Sequence, residues 1–398
     1  MKELDNGICS IEGIQASGYR EGKYGVTVIY HRDSTAVAVY TSNKVHAACI
    51  DITRKHLEDG RISAIIANSG NANCYTKEDG IKNGLKLAEV VASKLDIPVE
   101  EVAVASTGVI GRQMPMDIIK PVAIKSVEML GNNRECSSNA CNAILTTDLV
   151  SKECAVESTL SDGTKFRVAG ICKGSGMIAP NMGTMLGFVT TDLELDKDIM
   201  QEALNKAVDK SFNRVVVDGD ESTNDMVVLM STNDVSGDYD SNFQEALDYV
   251  CTSLAKQIAH DGEGASKYIE VECSGASTLN DAVCVSRSIV SSSLVKTAVA
   301  GADPNWGRII SAMGYSGVDF NPDGVSIAIS GCDNTVVIVD RGHVTTYDDA
   351  DLLTQAEDIM QGDEIFISVN LHQGDSSATC FGCDLTYDYV RINAEYTT

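Results

Sequence analysis

The chain has 398 residues, of which 43% are apolar and 22% charged, so it is long enough to bury a large core and has the composition of an ordinary folded protein. Its formal net charge of −26 argues against nucleic acid and anionic membranes as partners, because both bind through Lys and Arg patches. No segment approaches the ~20 uninterrupted apolar residues of a membrane helix, and the N-terminus lacks the basic and apolar regions of a signal peptide. We therefore expect a cytoplasmic protein.

The order of strand-like and helix-like segments predicts the class of fold. Alternating or β-branched runs predict strands, and amphipathic runs predict helices. In chain order these are strands at 24–30, 35–40 and 62–67, helices at 80–95 and 117–130, strands at 165–171 and 185–191, a helix at 197–212, a strand at 226–230, a helix at 242–260, a strand at 267–273, a helix at 280–300, a strand at 325–330, a helix at 349–361 and a strand at 364–371. Because the two kinds of segment interleave irregularly, we predict an α/β fold of layered mixed sheets with flanking helices.

Two motif-like stretches do not support the functions that they suggest. The segment that starts at Gly174 fits the dinucleotide pattern GxGxxG/A, but Pro180 follows at once, where that pattern requires a helix. The segment that starts at Asp218 resembles a calcium loop, yet Thr223 stands where the sharp turn needs Gly and Leu229 where the loop needs Glu. We reject both interpretations.

The 13 cysteines are scattered along the chain and odd in number, which favours reduced, buried thiols over a disulfide framework. Cys380 and Cys383 form a single CxxC pair with no second pair at zinc-site spacing. A redox CxxC motif requires a following helix, whereas residues 383–394 alternate in the manner of a strand. We therefore expect a structural role for both cysteines and no metal.

The remaining chemistry centres on a Gly-Thr pair. The six histidines stand singly, so a Ser–His type of mechanism finds no local support. A nucleophile that needs no histidine is an N-terminal Thr, whose own α-amine, titrating at ~7.7–8.0, acts as the base. Gly183 and Thr184 suit this chemistry, because a glycine can adopt the strained conformation that brings the Thr184 hydroxyl to the preceding carbonyl. From spacing alone, a simple turn that enters the strand at 185–191 remains the alternative.

Several segments together carry a family resemblance that extends over essentially the whole chain. The stretch KGSGMIAPNMGTMLGF, residues 173–188, resembles the cleavage and nucleophile segment of the ornithine acetyltransferase (glutamate N-acetyltransferase) family of arginine biosynthesis. Seven further segments match that family in order: residues 68–73, 106–111, 146–148, 218–220, 261–264, 303–308 and 392–398. We assign structural roles, such as turns and pocket walls, to the stretches 218–225 and 303–308.

This resemblance implies a fold and a set of site residues. The fold would be of the DmpA/ornithine acetyltransferase type, self-cleaved into an α chain of residues 1–183 and a β chain of residues 184–398 that are intertwined, with an α2β2 heterotetramer as the expected assembly. Thr184 would be the cleavage and acetyl-transfer nucleophile, and Thr107 with Gly108 would form the oxyanion hole. The substrate-binding residues would be Thr146, Lys173, Thr184, Glu263, Asn393 and Thr398. The family usually has Ala at the position of Gly183, and this difference bears on the rate and completeness of cleavage.

The resemblance also implies the reaction. The enzyme would move acetyl from N-acetylornithine to glutamate, with no metal or cofactor, while acetyl-CoA remains open as a co-substrate. Lys173 would attract a substrate carboxylate, and Glu263, set between two glycines, would pair with an ammonium of the substrate or of Thr184. Asn393 and Thr398 would supply neutral hydrogen bonds. Two other functions stay open: a related N-terminal-nucleophile aminopeptidase of the same fold, and a catalytically silent amino-acid-binding protein.

Overall fold

The computed structural model describes residues 1–179, 185–331 and 334–395. This part of the chain divides into two compact units. Unit 1 contains Met1–Asn213 and Asp220–Ile258, and unit 2 contains Arg214–Gly219 and the residues from Ala259 onward. Each unit is built on a mixed β-sheet with helices packed against it, which confirms the α/β class with layered mixed sheets.

The strands of the described residues are β1 (Lys2–Glu3), β2 (Gln15–Glu21), β3 (Tyr24–Tyr40), β4 (Arg61–Ser69), β5 (Val102–Ser106), β6 (Lys152–Thr159), β7 (Lys165–Lys173), β8 (Leu186–Leu193), β9 (Val215–Val216), β10 (Met226–Val235), β11 (Tyr268–Ala276), β12 (Ser326–Ser330), β13 (Thr335–Asp340), β14 (His343–Val344), β15 (Glu364–Asn370) and β16 (Ser376–Cys383). The α-helices are α1 (Ala48–His56), α2 (Lys77–Leu95), α3 (Met116–Glu128), α4 (Arg134–Ala143), α5 (Lys197–Lys210), α6 (Ser241–His260), α7 (Leu279–Ser291), α8 (Ser293–Ala300), α9 (Trp306–Gly314), α10 (Ala350–Met360) and α11 (Tyr387–Glu395).

The sheet of unit 1 places β8 at its centre. Its strand order is β1-β6-β7-β8-β10-β3-β4-β5, and β2 pairs with β3. β8 runs antiparallel to β7 and parallel to β10, and all eight of its residues are buried. A strand covered on both faces reads as a continuous apolar run, as the first half of β8 does, and its polar residues Thr190, Thr191 and Asp192 are buried as well. The chain that follows residue 184 therefore enters the core directly.

The sheet of unit 2 has the order β14-β13-β12-β15-β11-β16-β9. β11 pairs in parallel with β15 and antiparallel with β16. β12 and β15 alternate buried and half-buried residues, as expected of strands with one face on the core, and helix α7 packs against β11 and β16. The two sheets thus differ, because the central strand of unit 1 is buried on both faces.

All but one of the segments predicted from the sequence form the predicted type of element, and three differences are instructive. The strands predicted at 24–30 and 35–40 are one continuous strand, β3. The helix predicted at 280–300 breaks into α7 and α8, because extended Ser292 accepts the Val295 N–H and caps a new helix. The third difference concerns the end of the chain.

The prediction that residues 383–394 continue as a strand is wrong. β16 ends at Cys383, and the helix α11 begins at Tyr387. The Thr386 hydroxyl accepts the Asp388 N–H at 3.1 Å, so Thr386 closes the turn that starts the helix. A helix therefore does follow the CxxC pair, and the case against a redox motif rests instead on the burial of its thiols.

None of the described helices is by itself long and apolar enough to cross a membrane. The pair α7 and α8, bent by 55° at its break, passes the same test of length and composition when its two parts are taken together.

Candidate active site

Lys173, predicted to bind substrate, lies at the end of β7 opposite Leu186, the first residue of β8. Its side chain is only 2% exposed. The ammonium donates a hydrogen bond to the Thr146 hydroxyl at 2.8 Å and lies 3.5 Å from Asp148 Oδ2. The structure therefore brings together two of the predicted substrate-binding residues, Thr146 and Lys173, inside unit 1.

Asp148 organises this cluster, which we call the lysine cluster and define as Thr146, Asp148, Lys152 and Lys173. The Asp148 carboxylate is fully buried, and its Oδ1 accepts Lys152 Nζ at 2.9 Å and the Gly174 N–H at 2.6 Å. Its Oδ2 accepts the Thr146 N–H at 3.0 Å. Burial alone would raise the pKa of Asp148, but Lys173, Lys152 and the Thr146 N–H together lower it well below its ordinary range. Two lysines around one carboxylate leave one positive charge for an anionic substrate group as long as Asp225, which Lys173 also attracts, stays uncharged, as its burial favours.

The predicted oxyanion-hole pair lies in a turn directly after β5. Gly108 has φ 129°, and an added Cβ there would stand 2.5 Å from the Gly70 carbonyl carbon and 2.6 Å from the Asn71 nitrogen. Only glycine permits this close approach. The Thr107 N–H is already donated to the Asn68 carbonyl at 2.9 Å. The donors that this turn can offer an oxyanion are therefore the Thr107 hydroxyl and the Gly108 N–H.

The segment before β10 connects this turn with the start of β8. Buried Asn224 donates to the Ala72 carbonyl at 2.6 Å and to the Ser106 carbonyl at 2.8 Å, which supports the structural role predicted for this stretch. The next residue, Asp225, accepts the Met185 N–H with Oδ1 at 2.8 Å. Thus the residue that immediately follows the predicted nucleophile is held by a carboxylate that the sequence analysis did not identify as a site residue.

Unit 2 brings together two further predicted residues, Glu263 and Asn393. The Asn393 amide donates to Glu263 Oε2 at 2.9 Å. Gly264, at φ 68°, makes the contact possible, because an added Cβ would lie 2.3 Å from the Tyr389 nitrogen at the start of α11. The Thr386 hydroxyl also donates to the Gly264 carbonyl at 2.5 Å. Backbone therefore packs closely against the glycine that follows Glu263.

Three predicted positions, Gly183, Thr184 and Thr398, lie outside the described residues. The roles assigned to all of the predicted site residues stay predictions. What the structure adds is the pairing of Thr146 with Lys173 and of Glu263 with Asn393, each within one unit.

Sequence reasoning missed Asp148, Lys152 and Asp225. Lysine is almost never fully buried unless paired, so Lys152 at the start of an alternating strand offered no sign of its burial. The Thr-Thr-Asp triplet at 146–148 was a usable signal, because Asp readily binds backbone N–H groups two residues away. Asp225 stood in a stretch that we read as a turn.

Cys380 and Cys383 are both buried on β16, and burial raises the pKa of both thiols. Neither therefore has the thiolate character of a reactive cysteine, and the predicted structural role is supported. Most of the cysteines that the structure describes are likewise buried. Within the described residues there is no group of three or more His, Cys, Asp or Glu side chains placed to hold a metal.

Comparison with known proteins identifies this chain as an acyltransferase with a mixed α/β fold. Residues 11–398 match the ArgJ family, and the chain belongs to that family. It is 51% identical to the glutamate N-acetyltransferase of Methanothermobacter thermautotrophicus, over 100% of this chain and 99% of that protein. It is 48% identical to the glutamate N-acetyltransferase of Methanocaldococcus jannaschii, over all of both chains. A crystal structure of the arginine biosynthesis bifunctional protein ArgJ from Bacillus halodurans is 46% identical, with TM-score 0.48, and covers 52% of this chain and 98% of that chain.

Proposed function

We propose that this protein transfers an acetyl group from N-acetylornithine to glutamate in arginine biosynthesis, with Thr184 as the nucleophile. The observation that carries the proposal is a sequence identity of 51% and 48% to two glutamate N-acetyltransferases over the full length of this chain. The lysine cluster agrees with it, because a buried positive charge next to the chain that leads into β8 suits substrates that all carry a carboxylate.

The first step is self-cleavage between Gly183 and Thr184. The Thr184 hydroxyl attacks the Gly183 carbonyl, so that a carbon–oxygen bond forms, the carbon–nitrogen bond breaks and the hydroxyl proton passes to the nitrogen. Water then hydrolyses the ester to a Gly183 carboxylate and the free hydroxyl, with release of a proton. The order of strands fits this division: β8 and β10, which follow residue 184, lie between β7 and β3, which precede it.

The second step is acetyl transfer by a ping-pong route. The neutral α-amine of Thr184 takes the proton from its own hydroxyl, which attacks the acetyl carbonyl of N-acetylornithine. The Thr107 hydroxyl and the Gly108 N–H stabilise the oxyanion, an effect of about 3–4 kcal/mol per donor in comparable sites. Ornithine leaves with the proton, and the amine of glutamate then takes the acetyl group from the Thr184 ester. An amide replaces an amide, so the exchange needs no metal or nucleotide.

The remaining predicted residues recognise the substrates. Lys173 offers its ammonium to a carboxylate, with Thr146 and Asp148 holding it in place. Glu263 supplies the negative charge for an ammonium, and Asn393 orients it. We further propose, from the family resemblance, that the cleaved chains assemble as an α2β2 heterotetramer, that Thr398 contributes to the pocket and that the enzyme is cytoplasmic.

The decisive experiment is mass analysis of purified protein incubated with N-acetylornithine alone. We expect fragments 1–183 and 184–398, and the second fragment should carry one acetyl group that added glutamate removes. Thr184→Ala should give an intact, unlabelled chain. Transfer by intact protein, or by the Thr184→Ala variant, would overturn the mechanism, and peptide hydrolysis without acetyl transfer would indicate the aminopeptidase alternative.

A further inference from the structure

Asn68, at the end of β4, is a fully buried amide whose side chain joins two loops of unit 1. Its Nδ2 donates to the Asn71 carbonyl at 2.8 Å, and its Oδ1 accepts the Ser106 hydroxyl at 2.7 Å. A carbonyl oxygen can only accept, so these partners decide which way round the amide lies. The backbone carbonyl of Asn68 also accepts the Thr107 N–H at 2.9 Å. One residue therefore binds the loop after β4 and the turn after β5.

The two loops that Asn68 joins meet at the predicted oxyanion hole. Asn71 forms a β-bridge with Thr107 and another with Val109, so the loop after β4 runs against the turn on both sides of Gly108. Gly108 leaves no room between them, because an added Cβ would lie 2.6 Å from the Asn71 nitrogen. A displacement of either loop would therefore move the Gly108 N–H and the residue before it.

The atoms in this arrangement are out of water. Asn68 and Ser106 are 0% exposed, and Asn71 is 3% exposed. An unpaired polar group in such a place is costly, so the Asn68 amide holds both loops at hydrogen-bond distance. Asn224 bridges the same loops through the carbonyls of Ala72 and Ser106. Loss of Asn68 should therefore leave the turn folded but less well placed.

We propose that Asn68 is a positioning residue for the oxyanion hole: by binding Asn71 on one side and Ser106 on the other, it sets the place of the Thr107 hydroxyl and the Gly108 N–H. This inference rests on the proposed function. Asn68 does not touch the substrate and acts through the turn. The two donors interact most strongly with the charge that develops on the acyl oxygen, so Asn68 affects the rate of acetyl transfer and leaves substrate binding unchanged.

The test measures single-turnover acetylation of the full-length, self-cleaved protein by N-acetylornithine, followed by the mass of the 184–398 fragment. Asn68→Leu keeps the branching of the side chain and removes both of its hydrogen bonds, and Ser106→Ala removes one of them. Thr53→Val is the matched control. Thr53 is also 0% exposed, and its hydroxyl makes two hydrogen bonds to Val104, on the same strand as Ser106, at 2.7 and 2.8 Å.

In Asn68→Leu, the limiting rate constant of acetylation should fall by about 10–100-fold, while the half-saturating concentration of N-acetylornithine stays within about twofold. Ser106→Ala should lose about 3–10-fold, because the bond to Asn71 remains. Thr53→Val should keep its rate within about twofold, since its hydroxyl does not hold the turn. In a Thr107→Ala background, Asn68→Leu should lower the rate by a smaller factor than in the wild type, because one of the donors that it positions is gone.

Several results would overturn the proposal. One is a wild-type rate in Asn68→Leu, and another is an equal loss in Thr53→Val, since any buried hydrogen bond near β5 would then serve. A raised half-saturating concentration with an unchanged limiting rate would show a role in substrate binding instead. Equal factors in the wild-type and Thr107→Ala backgrounds would mean that Asn68 acts independently of that donor.

A variant that does not fold or does not cleave leaves the decision to the milder one. If Asn68→Leu is lost in this way, Ser106→Ala decides by the same criteria, and an uncleaved Ser106→Ala counts against the proposal. Failure of the proposed function is seen in a different protein, because the wild type itself would then give no acetylated 184–398 fragment. An acetylated wild type with equally fast variants overturns only the role of Asn68.

Discussion

The lysine cluster of unit 1 and the Glu263–Asn393 pair of unit 2 hold predicted site residues in opposite ways. Asp148 and Lys173 are 0% and 2% exposed, and each has several polar partners. Asn393 lies on α11, a helix with no buried residue among those described. Charges out of water interact strongly and leave little freedom, whereas an exposed hydrogen bond rearranges easily. The first region is thus built before substrate arrives, and the second is free to adjust to it.

The largest effect that this contrast predicts is on the stability of unit 1. Asp148→Asn leaves Lys152 and Lys173 buried without their counter-charge, and should lower the free energy of unfolding by about 3–5 kcal/mol. Urea unfolding measures this loss of stability. Glu263→Gln is the comparison in unit 2 and should lower the free energy of unfolding by less than ~1 kcal/mol. Equal losses of stability in the two variants would contradict the difference between the lysine cluster and the Glu263–Asn393 pair.

A smaller effect, on activity alone, is expected for Lys173→Met. Methionine matches the length of the lysine side chain, and Asp148 keeps Lys152 as its partner, so the fold should persist. Loss of a buried charge-assisted contact to a carboxylate should lower kcat/KM by about 10–100-fold. Lys165→Met, at the exposed other end of β7, is the control. A variant that binds N-acetylornithine as well as the wild type does would exclude the proposed role.

In a chain that cannot cleave, replacing Asp225 by Asn should change the free energy of unfolding in the opposite direction from replacing Asp148. Because the pKa of Asp225 is raised on folding, its contribution to stability is lost as pH rises above ~4, where the unfolded chain ionises. In a Thr184→Ala background, Asp225→Asn should therefore stabilise the protein at neutral pH, by about 1–3 kcal/mol. Unfolding midpoints at acidic and neutral pH would show whether the gain grows with pH. A destabilised double variant at neutral pH would contradict this account.

The smallest effect is expected for Asn393→Ala. The hydrogen bond to Glu263 is exposed, so its loss should change the free energy of unfolding by less than about 0.5 kcal/mol. If Asn393 orients Glu263 towards a substrate ammonium, KM should rise a few-fold while kcat changes little. A large loss of stability would mean that α11 is a firmer part of unit 2 than its exposure indicates.

Secondary structure could be predicted from the sequence where the neighbouring residues along the chain decide whether a segment is a helix or a strand. Buried strands such as β8 and amphipathic helices such as α5 carry their own periodic signal. The segment after Cys383 gave a wrong prediction, because the helix that it forms has no buried residue to mark a helical period, and the turn at Thr386 starts that helix. The family resemblance supplied Thr146 and Lys173, but not the carboxylate between them.

The lysine cluster and Asp225 were beyond sequence reasoning for a different reason. The Lys152–Asp148 pair is local in sequence, at positions i and i+4, but Lys173 meets Asp148 only because the fold brings β7 to it. The burial of Asp225 depends on β10 entering the sheet next to β8. The contact of Lys173 with Asp148 and the burial of Asp225 arise from long-range pairing, and no local pattern of residues encodes them.

The strand order of unit 1 has a consequence for how the enzyme is made. If cleavage falls before Thr184, the pair β8 and β10 from one product is inserted between β7 and β3 from the other, bonded on both sides. The uncut chain assembles this sheet in a unimolecular reaction, whereas the separated products would have to find one another first. Recovery of the cut enzyme from denaturant should then depend on protein concentration, so each molecule has one efficient opportunity to fold, before it cuts itself.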